Sequence, residues 1–192
     1  DYRPALPEMK AEVPEETRSL LLTLGLLGRP AATSELARLV RAPSARAASL
    51  LADLAARGLA AEEETGLGQR SWLLSAAGEA VARACDDEHR RRIHVRIGRA
   101  LAGVASAEGG PVLVEALRHF LEAGSTREII EHGIVAARYL DGTHQNRAAL
   151  RTYRAVLAAI PPRRGRLRLK VTIEMAHLHA RAGGLDEGIQ VL

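Results

Sequence analysis

The chain reads as mainly α: a small helical domain that carries one two-stranded ribbon, followed by a run of α-helical hairpins. Three observations predict this class. Aromatic residues make up only 3% of a chain that is 47% hydrophobic, so its cores must be built from Leu, Ala, Ile and Val, which suits helices better than a sandwich or barrel. Apolar residues recur at one-face helical spacing in segment after segment, with Gly- or Pro-marked turns between them. One stretch alone, Leu59 to Leu74, has the form of strand, Gly-rich turn and strand. A length of 192 residues is enough for one large or two small domains with real cores.

The elements follow in order after a leader over 1–14 punctuated by Pro4, Pro7 and Pro14. Leu20, Leu24 and Leu27 mark one face of a first helix, which Gly28-Arg29-Pro30 stops. Thr33-Ser34 suggests a cap for a short helix carrying Leu36, Leu39 and Val40. Pro43-Ser44 starts a third helix with Ala47, Leu50, Leu51 and Leu54 on one face and Gly58 at its end. Leu59 to Thr65, a Gly66-Leu67-Gly68-Gln69 turn and Arg70 to Leu74 form the ribbon, and Ser75 caps a further helix.

Helix, helix, helix, ribbon, helix is the element order of a winged helix, and the run from Leu50 through Leu54 and Arg57 to Gly58-Leu59 resembles that fold's third helix entering its wing. The domain so defined covers 15–85. A DNA-binding winged helix would turn Arg41, Arg46, Arg57 and Arg70 toward the duplex. Against this, the wing carries Glu62, Glu63 and Glu64. A glutamate about 7 Å from a phosphate costs roughly 0.6 kcal/mol even at the dielectric of water, so three of them offset most of what the arginines gain. A protein-contacting or spacer module is therefore the leading reading, and DNA binding the alternative.

Over 86–110 a linking helix is expected, opened by Asp86-Asp87-Glu88 at the positive end of its dipole. Ile93, Ile97, Ala100, Leu101 and Val104 mark its apolar face, and Arg90, Arg91, Arg92, Arg96 and Arg99 read as a solvated face. After Gly109-Gly110-Pro111 come helical hairpins over 111–192. Leu113, Ala116, Leu117, Phe120 and Leu121 form one stripe; Ile129, Ile130, Gly133, Ala136, Ala137 and Leu140 form the next. Ala149, Tyr153, Val156 and Ile160 lead to Pro161-Pro162, and Leu167, Val171, Met175 and Leu178 lead to Gly183-Gly184. Such hairpins bury little alone and a continuous core when stacked. The closing run Leu185 to Leu192 has the pattern of an opening helix without a finishing cap, and the first residue is Asp1, so the chain is expected to be an excerpt of a longer protein whose array is cut at its C-terminal end.

The hairpins resemble tetratricopeptide repeats. Ala149, Tyr153, Val156 and Pro161 match the spacing of the motif's second helix; Ala176, Gly183 and Leu185 match the small position of the first helix, the turn and the position after it. His179 stands where a tyrosine is usual and Gly188 where an alanine is usual, and the turns near Gly124 and His144 lie close together, so the repeats are degenerate. With the His89-Arg90-Arg91-Arg92-Ile93-His94 and Leu117-Arg118-His119-Phe120 runs, the whole order looks like the segment downstream of the nucleotide-binding domain in bacterial signal-transduction ATPases, including maltose-regulator-like activators and ATPase-fused kinases. That resemblance implies a regulatory part that holds the ATPase at rest and receives a ligand or partner.

No catalytic constellation appears. The two lysines, Lys10 and Lys170, do not follow glycine, so a phosphate-binding loop is absent, and nucleophile-elbow, kinase and metalloprotease signatures are missing. His177 and His179 stand two apart on a helix and point to different faces, which disfavours a shared metal. Lone Cys85 forms no internal disulfide and suits a reducing cytoplasm. No apolar run approaches a membrane span. No cofactor is expected. Residues 1–85 hold ten basic against eleven acidic side chains, and 86–192 hold seventeen against twelve, so the basic excess lies in the second half. The expected function is non-enzymatic: a regulatory and protein-interaction segment whose winged helix positions a repeat array. The array takes a protein or peptide, including other domains of the same parent chain, with Tyr153 and His179 lining the groove. Arg163, Arg164 and Arg168 open a helix where cations oppose its dipole; a solvated basic face is the leading reading, and contacts for an acidic partner, a phosphate or a neighbouring domain the alternative.

Overall fold

The computed structural model describes residues 13–64 and 70–181, with the backbone alone at 106–108. It is mainly helical and divides into two compact units, Asp1–Ala100 and Leu101–Leu192. The boundary falls inside a long helix.

The first unit contains α1 (Glu15–Leu27), α2 (Thr33–Val40), α3 (Ser44–Ala56), β1 (Ala60–Glu64), β2 (Arg70–Leu74), α4 (Ala76–Arg83) and the first part of α5 (Asp87–Glu108). Leu20, Leu24, Leu36, Leu39, Leu51 and Leu54 are buried at its centre, each contributing about 1.5 to 3 kcal/mol relative to exposure. Gly28 ends α1 in the left-handed region at φ 69°, a conformation that costs glycine nothing. Thr33 is not a cap. Ala32 precedes α2 without a side-chain bond, and Thr33 Oγ1 instead accepts the Trp72 indole N–H at 3.1 Å.

The ribbon is antiparallel, with Glu62 opposite Trp72 and Glu64 opposite Arg70. Trp72 also exchanges backbone hydrogen bonds of 2.8 and 3.0 Å with Ala31, so β2 is pinned to the α1–α2 connection. Glu62, Glu63 and Glu64 are exposed. Ser75 accepts the Gly78 N–H at 3.1 Å and donates to Gly58 O at 2.6 Å, which starts α4 and ties it to the end of α3. A Cβ on Gly78 would stand 2.0 Å from Leu59 O, so only glycine fits there. The Gly66-Leu67-Gly68-Gln69 turn lies outside the described residues.

The second unit carries the rest of α5 and then α6 (Gly110–Glu122), α7 (Thr126–Gly142), α8 (Asn146–Ala159) and α9 (Gly165–Arg181). Consecutive helices of these four pack against each other, and the first two connections turn sharply at Gly124 and His144, which both take positive φ, 64° and 59°. Ala116, Phe120, Ala136, Ala137, Ala149, Tyr153, Val156, Val171 and Leu178 form its buried interior. Small residues let α7 and α8 approach closely: a Cβ on Gly133 would meet Val156 Cγ2 at 2.3 Å. Leu121 departs from its stripe and is 39% exposed. Phe120 stacks on His132, with ring centroids 5.4 Å apart. Gly183, Leu185, Gly188 and the closing run lie outside the described residues.

Candidate partner-binding surfaces

In the second unit, α7 and α9 are separated in the chain by α8, yet two ion pairs join them. Arg138 donates to Glu174 at 2.5 Å, and Arg181 pairs with Asp141. Tyr153 of α8 lies behind the first pair and donates its hydroxyl to Glu174 Oε2 at 3.4 Å. The hydrogen bond from Arg138 is the main cause that holds the Glu174 carboxyl below its ordinary range, and the same bond raises the Arg138 guanidinium. Burial pushes the Tyr153 hydroxyl up to about 12, and the Glu174 anion adds to the rise. Along α9 this face continues as a shallow cavity of about 390 Å³ lined by Arg166, Leu169, Lys170, Ile173, Glu174 and His177. Leu169 is 58% and Ile173 38% exposed, so among the described residues an apolar strip lies uncovered between cations.

The residues expected to line a groove are placed differently. Tyr153 is fully buried, and offers no ring face to a ligand because Ala149, Tyr153 and Val156 form the inward side of α8. His179 is buried with Val171, Met175 and Leu178 on the packed side of α9, and its Nε2 has no hydrogen-bond partner among the described residues. Arg168 is also engaged internally. Its Nη1 donates to Leu157 O at 2.9 Å and Ile160 O at 2.8 Å, so it caps the C-terminal carbonyls of α8. This bond explains why a cation stands in the first turn of α9. Arg163 and Arg164 are exposed and line a second cavity of about 490 Å³ with Arg127, Ile130, Glu131 and Pro161. His177 faces outward where His179 faces inward, as their spacing requires.

In the first unit the four arginines proposed for a duplex do not form one open basic face. Arg46 binds Glu16, with Nε 3.1 Å from Oε2; Arg57 Nε donates to Asp53 Oδ1 at 2.9 Å; Arg70 stands 3.6 Å from Glu62. Carboxylates of their own unit therefore neutralise these three. Arg41 is exposed and ends α2 at φ 58°. It shares a cavity of about 340 Å³ with Arg46 and with Arg96 of α5.

Arg96 does not belong to a solvated face. It is half-buried, and its Nη2 donates to Thr23 Oγ1 at 2.7 Å. Arg90 likewise turns inward, donating to Arg83 O at 2.9 Å and Cys85 O at 3.3 Å, so it closes the end of α4. Arg91, Arg92 and Arg99 remain exposed. The sequence held one signal for Arg96, its place between the buried Ile93 and Ile97 on the edge of the apolar stripe. For the partnership of Arg138 with Glu174 there was none, since ion pairs between nonconsecutive helices depend on how the hairpins stack.

Searches against protein-family models and curated proteins returned no match. Among solved structures, the chain is similar to a Signal Transduction ATPase with Numerous Domains protein with a tetratricopeptide repeat sensor from Pyrococcus horikoshii, at a TM-score of 0.61 and 16% identity. The similarity covers 100% of this chain and spans 28% of that one. At this identity it is the fold that is shared: a mainly helical chain whose hairpin region is tetratricopeptide-like.

Proposed function

We propose that the chain is a non-enzymatic regulatory and protein-interaction segment of a longer cytoplasmic signalling protein of the bacterial signal-transduction ATPase kind. Its first unit is a winged helix that contacts protein rather than duplex DNA, and its second docks a protein or peptide, including segments of the parent chain. The observation that carries this reading is the open strip on α9, where Leu169 and Ile173 lie between Arg166, Lys170 and His177. Such a strip suits an amphipathic partner with acidic flanks, since apolar contact supplies affinity and opposite charge supplies register. The neutralised Arg46, Arg57 and Arg70 support a protein-contacting first unit. The tetratricopeptide repeat sensor of the similar Pyrococcus horikoshii protein fits a regulatory role. No described helix is long and apolar enough to cross a membrane.

Peptide display on the 192-residue chain tests the proposal. Enrichment of sequences that pair Leu or Ile with Asp or Glu is expected, with loss of binding in Lys170→Glu and Ile173→Asp. Enrichment that both substitutions leave intact would remove α9 from the reading. A tight, steeply salt-dependent complex with duplex DNA, weakened by Arg41→Glu and Arg46→Glu, would move the function to the first unit.

A further inference from the structure

We propose that the cavity between α1, α2, α3 and α5 of the first unit is a carboxylate-binding site, in which Arg41 and Arg96 hold a single carboxylate beside the internally paired Arg46. The cavity measures about 340 Å³, large enough for a carboxylate group with a short stem. Three guanidiniums and two carboxylates line it, Arg41, Arg46 and Arg96 with Glu15 and Glu16. These balance to one uncompensated positive charge.

The three arginines are not equivalent. Arg46 is committed to Glu16 through Nε and Nη2. Arg96 is anchored by Nη2 on Thr23 Oγ1 and on Ser19 O, at 2.7 and 3.5 Å. Its Nε is sealed from solvent without an acceptor among the described residues. The anchored group is thus fixed in position, and Nη1 makes no hydrogen bond among the described residues. Arg41 makes no ion pair or side-chain hydrogen bond among the described residues, and its charge acts on Arg96. Burial, and then Arg41, lower the affinity of Arg96 for its proton. Two like charges held together at a partly desolvated site are relieved by an anion between them.

The single net positive charge selects the class of anion. A carboxylate carries one negative charge and leaves the site neutral, whereas a phosphate close to dianionic would leave an excess facing Glu15 and Glu16. Guanidinium and carboxylate also match in geometry. The carboxylate has two possible sources, a small organic acid or an acidic side chain of a protein, and one set of titrations distinguishes them.

The Arg Nε–H resonances of the ¹⁵N-labelled 192-residue chain would be followed while acetate, succinate, an amidated triglutamate peptide or inorganic phosphate replaces chloride at constant ionic strength. The sealed Arg96 Nε–H is the reporter. A saturable shift with acetate or succinate, weakened about tenfold or more by Arg41→Gln and tightened about threefold by Glu15→Gln, is expected. Stronger binding of triglutamate than succinate assigns the site to a protein side chain, and the reverse assigns it to a small acid; both support the proposal. Arg41 and Glu15 are exposed, so neither substitution threatens the fold. A shift that does not saturate, indifference to Arg41→Gln, or tighter binding of phosphate than of every carboxylate would overturn it.

Discussion

Tyr153 shows how one buried hydroxyl makes the second unit sensitive to alkali. Its pKa stands near 12 in the folded chain against 10.0 for the free group. A group whose folded value is raised contributes stability that is complete below pH 10 and is lost as pH rises toward 12. The loss is on the order of 3 kcal/mol. Urea unfolding measured below and above that window should show this decline, and Tyr153→Phe should flatten it while costing about 1 kcal/mol at neutral pH through the lost bond to Glu174. Glu174 acts in the opposite direction. Its carboxyl is lowered, so the stability it supplies is present above the ordinary carboxylate range and fades as pH falls through its folded value. At Gly133 the constraint is steric rather than ionic. Gly133→Ala would place a methyl 2.3 Å from Val156 Cγ2, and overpacking of this kind costs about 1 to 3 kcal/mol. Thermal unfolding should show the loss, and a second substitution, Val156→Ala, should recover part of it.

At the scale of elements, two arginines repeat one device. Arg90 near the start of α5 reaches back to carbonyls at the end of α4, and Arg168 in the first turn of α9 reaches back to those at the end of α8. Each cation opposes the dipole of its own helix and satisfies the last carbonyls of the one before, so the second effect outweighs the first. Arg168→Gln is expected to cost about 1.5 kcal/mol of stability without weakening capture of an acidic peptide, whereas Lys170→Glu should weaken capture with little cost in stability. Parallel denaturation and binding titrations separate the two roles. This device sets Arg168 apart from Arg163 and Arg164, which stay exposed while Arg168 turns to the carbonyls of the preceding helix. Charge runs are legible in a sequence, but whether a guanidinium meets solvent or a carbonyl depends on the angle at which two helices join. Helix starts and stops were legible because Gly28, Ser75 and the Pro161-Pro162 pair act locally. The exposure of Leu121 was not, since it depends on where the stripe of a neighbouring helix runs.

Over the whole chain, the mainly helical class followed from a scarcity of aromatics and a recurrent one-face spacing, both of which survive without tertiary information. Tyr153 and His179 illustrate what did not follow. Both were placed by their repeat positions, and the same positions serve the interior as readily as a groove, so the open strip passed instead to Leu169 and Ile173. The ribbon of the first unit has a further consequence. Ala31 occupies one side of β2 and β1 the other, so among the described residues β1 keeps a free row of backbone donors and acceptors along its outer margin. A free margin of this kind recruits strands from other molecules unless charge prevents it. Glu62, Glu63 and Glu64, which weigh against a phosphate backbone, also guard that margin through mutual repulsion between copies. Replacing Glu62 and Glu64 with threonine, a residue that favours strands, should leave the fold intact and raise concentration-dependent light scattering. On that outcome, those glutamates set how crowded a solution the protein can tolerate before it begins to assemble on itself.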